Sequence, residues 1–270
     1  ETGGTRRADT IKTHHNRVPV IEEMIVQGKV VEPLAELYKV EVRELGERLG
    51  IPREALWRHP FPGPGLGVRV LCSHGEGDEE GFAELAPAAQ ALASSFGLRS
   101  LPLPIRSVGV KADLRAYEHP VLLTGDVPWE RLLEAVSAIT SKVPGVNRCV
   151  WNLGPEHPGS ARALAATVTR QRLDLLREAD HVVMEALLGA GFYDQVWQCP
   201  TVLLPLSLGD RPGETVVVRP VGSQRAMTAT PVELPSELVR ELRARILALP
   251  GVSGLLLDVT SKPPGTIEWE

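Results

Sequence analysis

Pro144-Gly145-Val146-Asn147-Arg148-Cys149-Val150-Trp151 is answered later in the chain by Pro250-Gly251-Val252-Ser253-Gly254-Leu255-Leu256-Leu257. Each run opens with a Pro-Gly turn and continues as an apolar strand. Before each lies a helical spacing of apolar residues, Leu132, Val136 and Ile139 in the first copy and Leu238, Leu242, Ile246 and Leu249 in the second. A short apolar run precedes each helix, at residues 120–124 and 215–219. Further upstream, Leu101-Pro102-Leu103-Pro104 is matched by Val202-Leu203-Leu204-Pro205. The repeated unit is therefore strand, helix, strand. Two further helices are expected: an alanine-rich one over 82–95, and one over 169–188 with the stripe Leu173, Leu176, Val183 and Leu187 and a stop at Gly189.

The 270 residues are 43% hydrophobic and 23% charged, the composition of a globular chain with a sizeable core. No apolar run approaches the roughly 20 residues that cross a bilayer, so no membrane span is expected. The formal net charge of −5 argues against a nucleic-acid partner, which needs clustered cations on one face. Cys72, Cys149 and Cys199 have neither the number of a disulfide framework nor the spacing of a zinc site, and a reducing cytoplasm is the expected compartment. The chain starts Glu1-Thr2-Gly3-Gly4 and reads as a piece of a longer one.

Residues 1–58 contain one helix, with Pro33 in its first turn, Leu34, Tyr38, Leu45 and Leu49 on one face and Gly50 at its end. This is too little core for an independent domain. A stiff connector over 59–67 leads to an expected strand at 68–72. The domains expected are thus 1–67, 68–155 and 156–270, and an open sheet of such units makes a homodimer the natural way to cover its edges.

Candidate chemistry sits in three places. Ile11-Lys12-Thr13-His14-His15-Asn16 gathers a cation, a hydroxyl and two imidazoles in one polar loop; its alternatives are a solvated loop and a mobile lid over phosphates, with no metal expected. The connector His59-Pro60-Phe61-Pro62-Gly63-Pro64-Gly65 and the tail Lys262-Pro263-Pro264-Gly265-Thr266-Ile267-Glu268-Trp269-Glu270 both hold the backbone stiff between glycines. Arg115 and Lys262 are either surface cations or preset charges for a phosphate or carbonyl. Gln198 either caps a strand or reads a purine edge with an amide that donates and accepts, and Glu268 complements it by accepting from ring N–H groups.

Together, the lid loop, Arg58-His59-Pro60-Phe61-Pro62-Gly63-Pro64-Gly65-Leu66 and Thr260-Ser261 with the tail resemble the carboxyl-terminal portion of glutamine-hydrolysing GMP synthase, in the two-module form of vertebrates. The fold implied is α+β: two repeated strand–helix–strand dimerisation modules preceded by the remnant of a doubly wound α/β ATP-pyrophosphatase domain. The activity implied is amination of XMP to GMP with release of AMP and pyrophosphate, through an adenyl-XMP intermediate. Lys12, Thr13, His14 and His15 then form the catalytic lid, Arg115, Gln198, Lys262 and Glu268 bind XMP, and residues 59–65 shape the pocket. ATP and Mg²⁺ serve the complete enzyme, with no protein ligands for them identifiable in this sequence.

The chain also departs from that pattern. No Ser-Gly-Gly-Val-Asp-Ser loop for pyrophosphate occurs in it, nor a glutaminase cysteine domain, so those parts are expected in cis or in trans. Where the family favours Val-Gly-Val-x-Gly-Asp, the chain has Val108-Gly109-Val110-Lys111-Ala112-Asp113. The polypeptide alone is expected to bind XMP weakly or not at all and not to turn over; the alternative is a non-catalytic dimerisation module that retains only the fold.

Overall fold

The computed structural model of the chain describes residues 19–77, 79–111, 114–156, 158–223 and 227–270. They fall into two units, divided between Arg58 and His59.

In the smaller unit, α1 (Pro19–Val26), α2 (Lys39–Arg48) and α3 (Arg53–Leu56) follow one another. The helix expected from Pro33 starts only at Lys39. Residues 32–37 form tight turns instead, with Ala35 N–H on Glu32 O and Leu37 N–H on Leu34 O. The Glu41 carboxylate accepts from Tyr38 N–H at 2.6 Å, which satisfies a free donor at the helix start and fixes the entry there. Gly46 lets α3 close on α2: a Cβ at that position would stand 2.6 Å from the Leu56 side chain.

The larger unit is built on a mixed sheet. Its elements are α4 (Phe82–Ser95), β1 (Arg99–Pro102), β2 (Ser107–Lys111), β3 (Leu114–Thr124), α5 (Trp129–Lys142), β4 (Val146–Gly154), α6 (Arg170–Gly189), β5 (Thr201–Leu204), β6 (Glu214–Val218), α7 (Ser236–Ile246) and β7 (Val252–Asp258). The strand order is β1-β3-β4-β7-β6-β5, with β2 hairpinned onto β3. Only β3 with β4 and β6 with β7 run parallel; β4 and β7 meet antiparallel at the centre, Trp151 opposite Leu257.

The alternation of side chains decides the layers. Val121, Leu123, Cys149, Leu203, Val216, Val218, Leu255 and Leu257 point to one face and pack with Leu132, Ile139, Leu176, Val183, Leu238 and Leu242 of the helices. The residues between them, Leu122, Val150, Val202, Leu204, Val217 and Leu256, point to the other face, where Leu103, Leu206, Leu208 and Trp269 cover them. With both faces covered, the strands read as continuous apolar runs.

One sequence expectation shifts. The strand anticipated at 68–72 loses its first two residues to a 3₁₀ turn over Gly65–Arg69, and what remains is a single bridge of Val70 to Leu203, beside which Leu71 N–H donates to Leu203 O at 3.1 Å. Gly65 enters that turn at φ 72°, a left-handed conformation that favours glycine. α6 ends at Gly189 as expected, and Gly191 just beyond it takes the left-handed turn at φ 62°.

Candidate functional site

The carboxyl-terminal tail docks on the core through the buried Gly265, Ile267 and Trp269. Trp269 is fully buried, and its indole N–H donates to Asp258 Oδ2 at 3.0 Å. The tail also pairs with β2: Val108 N–H donates to Trp269 O at 3.0 Å, and Val110 N–H to Pro264 O at 2.7 Å. Gly109 permits this approach, since a Cβ there would lie 2.7 Å from Pro264 O.

Beneath the tail is a wholly buried ionic cluster. Asp258, at the end of β7, receives Arg148 Nη1 from β4 at 2.6 Å and Arg219 Nη1 from beyond β6 at 2.6 Å. Arg219 donates in addition to Thr260 O and Ile267 O, at 2.9 and 3.1 Å. Burial by itself disfavours the Asp258 carboxylate, but Arg219 and Arg148 outweigh it and hold its pKa below the usual carboxylate range. Burial lowers Arg219 to about 10, which leaves it protonated at neutral pH. Its Nη2 finds no acceptor among the described residues.

The connector delivers a cation that sequence reasoning passed over. His59 stacks on Tyr193 with ring centroids 3.8 Å apart, and its backbone N–H donates to the Tyr193 hydroxyl at 3.0 Å. Burial lowers the pKa of its imidazole, opposed by the carbonyls of Tyr193 and Val196. Phe61 lies 5.1 Å from the Arg69 guanidinium, and Arg69, buried at the end of the 3₁₀ turn, grips Glu268 with two bonds of 3.0 Å. Gln198, also buried, donates from Nε2 to Glu268 Oε1 at 3.1 Å. Asp180 on α6 is electrostatically coupled to Arg69 and Glu268, and burial raises its pKa.

The structure thus joins Gln198 directly to Glu268. Lys262 lies on the same tail, with its backbone paired to Ala229 in both directions. Burial, and then the charge of Arg219, lowers the Lys262 pKa. Arg115 stands apart, exposed near the tip of the β2–β3 hairpin, where it pairs in register with Val110. Lys12, Thr13, His14 and His15 lie outside the described residues. Two open depressions flank α7, lined by Arg240 and Ala244 among others, and neither includes a tail residue. Among the described residues no group of three His, Cys, Asp or Glu stands ready for a metal, and no helix is long and apolar enough to cross a membrane.

Arg69, Arg148, Arg219 and Asp258 did carry a signal: each is a charge inside or bordering an apolar run, where it needs a partner. Their pairing was not readable, because the partners are far apart in sequence.

Residues 185–269 match the family described as the GMP synthase C terminal domain. The whole chain aligns at 40% identity with a probable glutamine-hydrolyzing GMP synthase of Leptospira interrogans, covering 45% of it. A Caenorhabditis elegans protein of the same description is 33% identical over 97% of the chain, which covers 45% of that relative. The GMP synthase of Leifsonia xyli is 32% identical over all of the chain, which covers 36% of it. The chain thus spans less than half the length of these curated relatives. Along its whole length the chain is similar to a portion of the GMP synthases, and its residues 185–269 match the segment described as their C terminal domain.

Proposed function

We propose that the chain is the XMP-binding and dimerisation portion of a GMP synthase, whose complete form makes GMP from XMP, ATP and ammonia drawn from glutamine. The observation that carries this reading is the preset amide–carboxylate pair of Gln198 and Glu268, of which Glu268 shares one docked tail with the cation Lys262. A purine edge offers N–H donors and carbonyl acceptors, which Glu268 and the free functions of Gln198 match. The phosphate is an anion, and the buried Arg219, with Nη2 unmatched and its field felt at Lys262, makes that region electropositive. An anionic ligand there offsets the like-charge cost between Lys262 and Arg219, the smaller of the two causes that lower the Lys262 pKa, burial being the larger.

The chemistry assigned to the complete enzyme begins with a ring carbonyl oxygen, a poor leaving group, which adenylation turns into a good one before ammonia displaces AMP. ATP with Mg²⁺ supplies the adenylyl group. This chain's own part is to orient the xanthine ring, with Lys12, Thr13, His14 and His15 assigned to a lid and Arg115 to a phosphate contact brought in by the hairpin. We also infer that residues 68–155 and 156–270 are copies of one module. Outward from the β4/β7 junction the strands follow in matching order on both sides, and the central pair Trp151 and Leu257 are equivalents in the repeat. A homodimer and a cytoplasmic setting complete the reading.

Saturation-transfer NMR with XMP, which reads weak binding, is the direct test. Weak association by the chain and its loss in Lys262→Ala are expected. No transfer to XMP, or equal transfer in both proteins, favours a module without ligand and defeats the proposal.

A further inference from the structure

We infer that Arg148 is a positioning residue for Glu268, supplied to the tail by the other half of the sheet. Its guanidinium is fully buried on β4 and binds on several sides at once. Nη1 donates to Asp258, and Nε to Ser107 Oγ at 3.3 Å. Nη2 faces four oxygens: Val108 O at 3.0 Å, Thr266 O at 3.2 Å, Thr266 Oγ1 at 3.3 Å and Glu268 O at 3.4 Å. The guanidinium carbon lies 4.6 Å from the centre of the Trp269 ring.

These contacts divide the control of Glu268 between two arginines. Arg69 and Gln198 fix its carboxylate, whereas Arg148 fixes the backbone from Thr266 to Trp269 that carries it. Through Val108 O the same guanidinium ties that backbone to β2, and Thr266 Oγ1 reinforces the link by donating to Val108 O at 2.9 Å. The hairpin that bears Arg115 and the tail that bears Glu268 and Lys262 therefore share one buried fork. A lysine retains the charge opposite Asp258 but concentrates its donors at one point and cannot span these oxygens.

For its effect on XMP this inference rests on the reading proposed above; its effect on the tail does not. Arg148→Lys and Thr266→Val separate the two. Amide hydrogen exchange without ligand is expected to rise about tenfold over residues 265–269 in Arg148→Lys, the loss of one charge-assisted bond, and less in Thr266→Val. Exchange in α5 and β6 should stay near that of the parent, whereas a merely structural role would raise it across the whole sheet. In NMR titrations the XMP dissociation constant should rise in the same order. If Arg148→Lys fails to fold, Thr266→Val decides. Unchanged tail exchange in the folded variants, or an increase spread evenly over the sheet, overturns the inference. If the parent chain shows no XMP association, the functional reading falls, and the exchange data still decide the role of Arg148.

Discussion

Replacing Asp258 with asparagine tests whether the buried cluster holds the tail half of the molecule together. The carboxylate takes four donors: Oδ1 accepts from Arg219 Nη1 and Thr260 N–H, and Oδ2 from Arg148 Nη1 and Trp269 Nε1. An amide of the same shape has one acceptor oxygen. Whichever way it turns, its NH₂ group confronts two of those donors, and the cluster changes from two cations around one anion to two cations alone. Removing one partner of a buried ion pair costs about 3–5 kcal/mol. Against a typical domain stability of about 5–15 kcal/mol, that is a large fraction.

Urea unfolding at pH 7, followed by fluorescence and circular dichroism, reads the loss directly. The pH dependence supplies a second readout with a fixed sign. The folded-state pKa of Asp258 is held below its unfolded value, so its contribution is complete above about pH 4, the ordinary carboxylate range, and is lost as pH falls through the lower folded value. Asp258→Asn should lack that part of the acid transition. A loss under about 1 kcal/mol with an unchanged m-value, or an acid transition identical to that of the parent, would refute the reasoning.

Two other consequences are expected. In Gly109→Ala the added methyl group meets Pro264 O at 2.7 Å and the Asn147 side chain at 2.8 Å, so the tail must move away from β2; a cost of about 1–3 kcal/mol and faster carboxypeptidase release of the last residues should follow, and an unchanged release rate would contradict the docking. Cys149 and Cys199 are buried, and burial raises both thiols, while Cys72 is exposed. A thiol-labelling reagent should therefore modify one of the three cysteines rapidly and the other two only on unfolding; two fast sites would show that the core opens.

Much of the fold was legible because each layer imposes its own period. The stripe of Leu132, Val136 and Ile139 predicts α5, and the matched Pro-Gly turns at 144 and 250 predict the entries to β4 and β7. Local competition limited the rest. The pattern from Pro33 continues a helix on paper, but tight turns and the Glu41 bond to Tyr38 N–H delay it. Val68 to Cys72 has the composition of a strand, yet Gly65 starts a turn that takes its first two residues and leaves a single bridge at Val70. The candidate residues Gln198, Lys262 and Glu268 could be named because amide, cation and carboxylate chemistry suits a purine nucleotide, and Arg69 escaped notice because nothing nearby in sequence pairs with it.

By itself the sequence determined most of the main strands and helices, because apolar periodicity is a local property of the chain. The tertiary structure alone decided that Arg148, Arg219, Asp258 and Trp269 meet beneath the tail, and that Arg69 reaches Glu268. A buried charge announces that it needs a partner, but which of many distant groups supplies it depends on strand order and on which face each side chain occupies, and those are fixed only when the sheet closes.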